Sequence, residues 1–517
     1  MPGDTNHKID IFVRDELTGE TFRVSVASDG TEGNNDSVEP SISADGRYVA
    51  FESKASNLVP GDTRDKRDVF VHDTATGETV RVSVSSGGME SNKDSTAPAM
   101  SADGRFVAFE SKATNLVPGV SNARQQVFVH DRDTGETNLI SLSTTGAVAN
   151  GTSSEPAISK DGRYVAFSSQ ADNLVPFDGN HAQDVFVHDR ETGETTRVSV
   201  AGDGSEGNRD SGTPALSGEG RFVAFTSEAS NLVPGDTNRK ADVFVHDRET
   251  GETTRISVSN DGEQGDRSSG APSINASGRF VAFESDAANL VEDDTNKERD
   301  VFVHDRSRGL TIRLSVGEEG PPSDDDSSDH DSGGKSEDSS SDDDSEGDTS
   351  EDDGSGDDDE NRDDSSRPSI SADGRSVAFQ SKSSRLVPGD TNRREDVFQA
   401  KLGLNRSPEA VDDFATTLQD TPVDINVLAN DTDPDGDALT VEEVGVPANG
   451  TTSINPDGTV RYVPDEGFSG VDTFTYTVGD GHGGADVATV TVDVTRLNQP
   501  PSVDAGPDQT ITFPTIR

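Results

Sequence analysis

Carboxylate and amide side chains recur along the chain in the pattern Asp-x-Asn-x-x-x-Asp. Calcium prefers about six to eight oxygen ligands, and alternate positions on a short loop can supply them. The same residue types also form Asx turns that order a loop before a strand. The candidate ligands are Asp178, Asn180, Asp184, Asp236, Asn238, Asp242, Asp294, Asn296, Asp300, Asp390, Asn392 and Asp396.

One copy of the pattern lacks both acids. Val120 replaces the first Asp and Gln126 replaces the last, which indicates that the two acids act together. Because this copy manages without either carboxylate, the comparison favours turn formation over calcium binding, and both interpretations stay open.

A second acidic run lies near the C-terminus, at Asp431, Asp433, Asp435 and Asp437. Four carboxylates on alternate positions, with Gly436 for a sharp bend, provide the oxygen density of a calcium loop. The alternative is a polar β-turn whose acids are only solvated.

Histidines recur in one predicted strand of the repeat, at His72, His130, His188, His246 and His304. That strand is the third from the axis of the predicted ring, so equivalent histidines diverge too far to share an ion, and we expect packing or hydrogen-bonding roles. No Ser/His/Asp trio, phosphate-binding Gly loop or zinc motif stands out, and the chain has no Cys. We therefore expect no catalytic residues and no enzyme activity.

The elements that position these residues repeat every 58 residues. The pattern Pro-x-[Ile/Leu/Met]-Ser-x-x-Gly-Arg starts at Pro40, Pro98, Pro156 and Pro214, with a variant at Pro272 and a copy at Pro368. In each unit we predict four short strands, for example a (214–217), b (221–227), c (242–247) and d (254–258). Stacked sheets of this kind predict an all-β, six-bladed β-propeller. An Ig-like array needs a longer unit, and a β-solenoid a shorter one.

The motif Ser-x-Asp-Gly-Arg-x-Val-Ala-Phe (Ser43 to Phe51), followed by Asp-Val-Phe-Val-His-Asp and Thr-Gly-Glu, resembles TolB-like propeller repeats. The resemblance covers 10–400 and implies the fold. It implies little about ligand or activity, because the family includes periplasmic scaffolds, peptidase-associated propellers and uncharacterised surface proteins.

The two ends of the propeller raise a question of closure. The last copy ends near Ala400 without a strand d, while the N-terminus supplies strands c and d. We expect the N-terminal strand d to complete the sixth blade, which leaves a spare strand c. This expectation favours a truncated start, with further blade material and a secretion signal upstream.

The loops predict which face of the propeller acts. The a–b and c–d turns are tight and contain Gly, whereas the b–c and d–a connections are long. Function on loops therefore points to the b–c/d–a face, called the loop face below. We expect a protein or carbohydrate ligand there.

After Pro408 the composition changes. The segments Pro408 to Asp413, Asp424 to Val441, Gly458 to Pro464 and Asp472 to Gly481 resemble the cadherin-like Ig-type repeats of bacterial surface adhesins. The resemblance implies a β-sandwich at 405–497, with calcium as a structural ion and Asp412 and Asp413 as further ligands. Residues 498–517 resemble the start of a polycystic-kidney-disease-type Ig domain.

The net charge of −55 excludes whole classes of partner. Nucleic acids and anionic membranes repel such a chain, and no apolar run is long enough for a membrane span. The segment 318–366 carries 23 Asp or Glu residues against Lys335 and Arg362, so we expect a disordered insertion in a propeller of residues 1–404. This tract could act as a low-affinity cation reservoir.

Together these patterns predict a non-catalytic binding or adhesion protein, extracellular or at the cell surface, with a propeller on an Ig-like stalk. The alternative is an enzyme or enzyme-associated propeller, such as a lyase, hydrolase or peptidase subunit whose catalytic part lies elsewhere. A central-channel cluster of His, Arg and acidic residues would favour that alternative.

Overall fold

The computed structural model describes residues 5–62, 66–121, 123–292, 294–317, 364–392, 394–403, 407–433, 437–481 and 484–496. It divides the chain into two compact units, Met1–Leu402 and Gly403–Arg517. Most of the predicted acidic insertion, Asp435 and residues 498–517 lie outside the described residues, so the predictions for them stay open.

The first unit consists of antiparallel sheets with the strand order a, b, c, d. The N-terminal half-blade contains β1 (Phe12–Arg14) and β2 (Thr21–Arg23). Blade 1 contains β3 (Ser37–Ile42), β4 (Tyr48–Ser53), β5 (Asp68–Asp73) and β6 (Thr79–Arg81). Blade 2 contains β7 (Ser95–Met100), β8 (Phe106–Ser111), β9 (Gln126–Asp131) and β10 (Thr137–Leu139). Blade 3 contains β11 (Ser153–Ile158), β12 (Tyr164–Ser169), β13 (Asp184–Asp189) and β14 (Thr195–Arg197).

The remaining blades follow the same plan. Blade 4 contains β15 (Ser211–Leu216), β16 (Phe222–Ser227), β17 (Asp242–Asp247) and β18 (Thr253–Arg255). Blade 5 contains β19 (Ser269–Ile274), β20 (Phe280–Ser285), β21 (Asp300–Asp305) and β22 (Leu310–Arg313). Blade 6 contains β23 (Ser365–Ile370), β24 (Ser376–Ser381) and β25 (Asp396–Lys401). Strand a of each blade contacts strand a of the next, so the predicted propeller architecture is confirmed.

Apolar contacts between strands and between blades hold the sheets together. In blades 1 to 5 every residue of strand c is buried, because neighbouring blades cover both faces. Phe51 of strand b and Phe70 of strand c stack with their ring centroids 5.9 Å apart, and the other blades repeat this pair. Burying each ring contributes about 1.5–3 kcal/mol, so the repeated Phe pair forms the centre of each blade.

Strand a carries a β-bulge in every blade, at the residue before the proline. In blade 1 the register shifts between Val38 and Ser41, and Glu39 has a φ of 52°. The equivalent residues in the other blades also have positive φ: Ala97, Glu155, Thr213, Ala271 and Arg367. Left-handed backbone at non-glycine residues costs free energy, so the surrounding sheet must hold this conformation in place.

The ends of the propeller do not join as the sequence predicts. We expected β2 to complete blade 6, and this was wrong: β2 pairs with β1, and blade 6 is a three-stranded sheet. Side chains link the two ends, with Arg367 of blade 6 lying 3.1 Å from Glu39 of blade 1, and Lys401 lying 3.8 Å from Glu16.

The second unit is a two-sheet sandwich. One sheet has the order β26 (Asp413–Leu418), β32 (Ala485–Thr495), β31 (Gly470–Gly479) and β28 (Thr440–Val444). The other has the order β27 (Val423–Ile425), β30 (Val460–Pro464) and β29 (Gly450–Ile454), and a 3-10 helix spans Val427–Ala429. Tyr462, Tyr476 and Phe474 lie in the core between the sheets, and β26 and β32 pair in parallel.

Candidate functional site

The asparagines of the repeated pattern form Asx turns at the start of strand c. In blade 3 the Asn180 Oδ1 atom accepts a hydrogen bond from the Ala182 N–H at 2.9 Å, and its Nδ2 atom donates to Asp184 at 3.1 Å. Asn238, Asn296 and Asn392 repeat both bonds. These asparagines therefore form Asx turns at the start of strand c.

An arginine in strand d, which the sequence analysis missed, pairs with the two acids of the pattern. In blade 3 the guanidinium of Arg197 lies 3.2 Å from Asp178, 3.2 Å from Asp184 and 2.9 Å from Glu206 of the d–a loop. We call this set the carboxylate–arginine cluster. Its counterparts centre on Arg81 in blade 1, Arg255 in blade 4 and Arg313 in blade 5.

The cluster is buried and carries more acids than bases. Three carboxylates surround Arg197, whose side chain is 10 % exposed, and the Asp184 side chain is fully buried. Burial, together with the charges of the nearby Asp184 and Glu206 carboxylates, raises the pKa of Asp178 to about 6 against the opposing effect of Arg197. Burial also raises the pKa of Asp68 in blade 1 to about 6. These carboxylates therefore bind protons more readily than ordinary aspartates.

Blade 2 replaces all four members of the cluster together. Val120 and Gln126 occupy the positions of the two aspartates. Leu139 occupies that of the arginine, and Val148 that of the glutamate. Val120, Leu139 and Val148 belong to one hydrophobic cluster, and Gln126 accepts the hydrogen bond from Ser141 at 2.6 Å that the aspartate accepts elsewhere. The paired loss of two acids thus reflects their shared arginine.

The cation-binding predictions for these loops stay open. Among the described residues, Asp62, Asp68 and Glu90 form the sole acidic or histidine trio whose ligand atoms lie within 4.8 Å of one another, and Arg81 lies in its centre. In blade 6 Asp390 and Asp396 are half-buried, and Asn392 bonds to both.

Phe177 breaks the symmetry of the loop face. Its side chain is 96 % exposed, and its φ is 63°, a left-handed conformation. Four other b–c loops carry a glycine of positive φ at this position: Gly61, Gly119, Gly235 and Gly389. A bulky residue with this backbone is strained, and an exposed ring adds nothing to the core, so stability does not explain Phe177.

Charged side chains lie beside the bulges of strand a, the strand nearest the axis of the propeller. Glu52, Glu110, Glu155 and Glu284 each accept a hydrogen bond from the bulge N–H of the next blade, at 2.8 to 3.0 Å. Arg67 pairs with Glu52 at 2.5 Å, and Arg299 with Glu284 at 3.4 Å. We call this set the channel mouth. Its glutamates accept hydrogen bonds from backbone N–H groups, while Glu39 and Arg367 remain exposed.

The recurring histidines have structural roles, as predicted. His72 is buried, and its Nδ1 atom lies 2.8 Å from Oγ1 of Thr79 in strand d. The other four repeat this bond at 2.9 Å. Burial lowers the pKa of each imidazole, so they are neutral at neutral pH.

In the second unit the structure brings together some of the predicted calcium ligands. Asp431 accepts hydrogen bonds from the Tyr476 hydroxyl at 3.0 Å and the Val411 N–H at 2.8 Å. The Oδ2 atom of Asp413 is buried without a hydrogen-bond partner. Burial raises the pKa of Asp413, and the charges of Asp431 and Asp412 add to this effect. A cation beside these carboxylates would offset the free-energy cost of burying their negative charges close together.

The other candidates are arranged differently. Asp412 accepts a hydrogen bond from the Thr489 N–H at 2.8 Å, and Asp433 accepts one from the Asp437 N–H at 3.1 Å. The choice between a calcium loop and a polar turn for this acidic run stays open.

Comparisons with known proteins found one matching family model and several similar solved structures. The family model described as bacterial Ig domain matches residues 405–493. A structure described as TolB from Agrobacterium tumefaciens matches with 16% identity and a TM-score of 0.36, covering 59% of this chain and 87% of its own. A periplasmic gluconolactonase from Pseudomonas aeruginosa matches with 14% identity and a TM-score of 0.33, covering 76% and 95%.

A puromycin-hydrolyzing peptidase from Mycobacterium tuberculosis matches with 14% identity and a TM-score of 0.37, covering 59% of this chain and 41% of its own. No curated protein matches the chain. Similarity at this level says nothing about ligand or activity.

Proposed function

We propose that this chain, which joins a TolB-like β-propeller to a bacterial Ig domain, is a non-catalytic binding protein of the cell envelope or exterior. The propeller engages a protein or carbohydrate ligand through its loop face, and the Ig domain serves as a stalk. Within the described residues, no helix has the length and apolar character needed to cross a membrane.

Phe177 carries this proposal. An aromatic ring supplies a large contact area at low entropic cost, and such residues dominate protein interfaces. The same ring can stack on the apolar face of a sugar. A strained position with a fully exposed ring costs stability in the free protein, so a ligand that covers the ring provides the compensating gain.

The test is binding of the full chain to glycan and protein arrays, with Phe177→Gly as the variant. Glycine is the residue of the sibling loops, so this variant should be more stable than the wild type by about 1 kcal/mol while losing its array signal. Leu17→Ser is the matched control, because Leu17 is 99 % exposed on the opposite face. Unchanged binding by Phe177→Gly would contradict the proposal.

Calcium is the ion we propose for the Ig domain. Asp413 and Asp431 would hold it, with Asp412 beside them, and the bound cation would neutralise carboxylates that now repel one another. EDTA should then lower the melting temperature of the second transition of the full chain, and added calcium should restore it. Asp413→Asn should abolish this response, whereas a transition that ignores EDTA would disprove the site.

An enzymatic role is the second candidate, and the channel mouth is the observation that favours it. Arg67 pairs there with Glu52 and Arg299 with Glu284, and charged pairs of this kind occur in many polar active sites. Hydrolase and lyase substrate panels test this role, with Glu155→Gln as the variant. Turnover that disappears in this variant would replace the binding proposal.

A further inference from the structure

A cavity of about 490 Å³ lies between the b–c loop and the d–a connection of blade 4. Its volume falls in the range of roughly 300–1,000 Å³ that small-molecule sites occupy. The lining combines the apolar side chains of Val233, Pro234 and Val258 with the planar polar groups of Arg255 and Gln264. Apolar walls with a few polar groups are typical of small-molecule sites.

Two exposed glycines leave part of this lining without side chains. Gly235 of the b–c loop and Gly262 of the d–a connection both have a φ of 79°. A Cβ atom built on either glycine would meet nothing within 4 Å, so the space in front of the backbone is open. The cavity is therefore accessible from the loop face.

Arg255 is buried beside the cavity but makes few hydrogen bonds. Its side chain is 8 % exposed, and the carboxylates of Asp236 and Asp242 lie 3.6 and 3.9 Å from it, beyond hydrogen-bonding distance. Arg197 of blade 3 instead lies 2.9 to 3.2 Å from three carboxylates. A guanidinium has five N–H donors, and within the described residues that of Arg255 donates one hydrogen bond, to Oε1 of Gln264. The guanidinium therefore has donors left for an oxygen atom of a ligand.

Gln264 takes the place that Glu206 holds in the cluster of blade 3. Its Oε1 atom also accepts a hydrogen bond from the Thr237 N–H at 3.3 Å, and its Nε2 atom donates to Thr237 Oγ1 at 2.8 Å. The amide thus ties the d–a connection to the b–c loop at the border of the cavity. Because an amide is neutral, the blade 4 cluster has one carboxylate fewer than the blade 3 cluster.

The charges around Arg255 favour a neutral ligand that carries hydroxyl groups. A ligand carboxylate or phosphate bound to Arg255 would face the like charges of Asp236 and Asp242, which repel it. A hydroxyl group carries no charge and both accepts and donates hydrogen bonds, so it suits a site that holds a guanidinium, an amide and carboxylates.

We propose that this cavity is a binding site for a neutral saccharide. The sugar hydroxyls accept hydrogen bonds from Arg255, and the C–H groups of the ring pack against Val233, Pro234 and Val258. The site rests on the proposed function, because it takes the loop face as the binding face, and it adds a second ligand contact besides Phe177.

The probes are the methyl glycosides of glucose, galactose, mannose and N-acetylglucosamine, tested with the full chain by saturation-transfer NMR. Methyl glucuronide is the matched charged probe, since it differs from methyl glucoside by a carboxylate in place of a hydroxymethyl group. We expect saturable binding of at least one neutral glycoside, and about tenfold weaker binding of methyl glucuronide because of the two aspartates.

Gln264→Glu should weaken glycoside binding about tenfold, because the new carboxylate takes up donors of Arg255 as Glu206 pairs with Arg197. The variant copies an arrangement that blade 3 already contains, so we expect it to fold. Glu206→Gln is the matched control, since it makes the reverse exchange at the equivalent position of blade 3 and should leave glycoside binding unchanged.

Three results would overturn the saccharide site. They are the absence of saturable glycoside binding, equal binding by Gln264→Glu and wild type, and tighter binding of methyl glucuronide than of every neutral glycoside.

Phe177→Gly separates this site from the proposed function. Glycoside binding that is lost in Phe177→Gly but kept in Gln264→Glu would place the sugar at Phe177, which refutes the blade 4 site and leaves the proposed function standing. Loss in Gln264→Glu alone supports the cavity, even where the arrays show no role for Phe177.

Discussion

Blades 2 and 3 solve the same packing problem in opposite ways. At four equivalent positions blade 3 places Asp178, Asp184, Arg197 and Glu206, while blade 2 places Val120, Gln126, Leu139 and Val148. Strands b and c begin and end at equivalent residues in both blades, so neither solution is required for folding. Buried ion pairs lose hydration that their mutual attraction only partly repays, and apolar replacements of similar volume are often as stable. The difference teaches that, in blades 1 to 5, the arginine and its two aspartates are kept or lost together, whereas the glutamate position varies and holds Gln264 in blade 4.

Removing the arginine of the blade 3 cluster should give the largest change in the free energy of unfolding. Arg197→Leu leaves the buried carboxylates of Asp178 and Asp184 without their cation, and we expect it to lower the free energy of unfolding by about 3–5 kcal/mol. Urea denaturation followed by circular dichroism measures this change. The matched control copies blade 2 in full, with Asp178→Val, Asp184→Gln, Arg197→Leu and Glu206→Val, and it should stay within about 1 kcal/mol of wild type. Equal losses in both variants would show that the cluster does not act as a unit.

The second-largest effect should be a pH dependence of stability that distinguishes the charged cluster of blade 3 from the arrangement of blade 2. The folded pKa of Asp178, about 6, lies above its ordinary value of 3.8, so the folded state binds the proton more tightly. The stability that this carboxyl contributes is therefore full below pH about 4 and is lost as pH rises through 6. The wild type should lose stability relative to the fourfold variant between pH 4 and pH 7. Parallel unfolding curves for the two proteins across this window would contradict the raised pKa.

Added calcium should give the smallest effect, a change in melting temperature. This effect tests whether the acids of the b–c loops can bind a metal ion. In blade 1 Arg81 lies among Asp62, Asp68 and Glu90, where it competes with any cation. Arg81→Gln should create a calcium response, seen as a rise of a few degrees in the melting temperature of the propeller transition. Leu139→Gln in blade 2, which has no acids at these positions, should show none. A calcium response of the wild-type propeller itself would favour the metal interpretation.

Much of the fold could be predicted from the sequence, because the same turn residues and apolar runs recur in each copy of the repeat. Strand c of blade 4 matches its predicted bounds, and strand b begins one residue later than predicted, at Phe222. Strand d is shorter than predicted and ends at Arg255.

Only part of the carboxylate–arginine cluster was predicted from the sequence. The joint loss of two acids in blade 2 was seen, but Leu139 and Val148 were the further signal that an arginine and a glutamate belonged to the set. The bulge before the proline gave no signal at all, since a residue before proline ordinarily adopts an extended conformation. A glutamate of the preceding blade bonds to the bulge N–H in four blades, as Glu52 does to that of Ala97. The same bulge forms at Ala271 of blade 5, although blade 4 has Thr226 at the position of Glu52.

The pairing of the first and last strands of the Ig domain has a mechanical consequence. β26 and β32 run parallel and pair over six positions, from Asp413 opposite Val490 to Leu418 opposite Thr495. Tension applied to the two ends of this domain pulls the strands past each other, so all their hydrogen bonds bear the load together instead of opening one by one. Forced unfolding is governed by the rate of the first rupture, and shear of a whole ladder makes that rupture slow. Such a domain would resist unfolding when tension acts along its two ends.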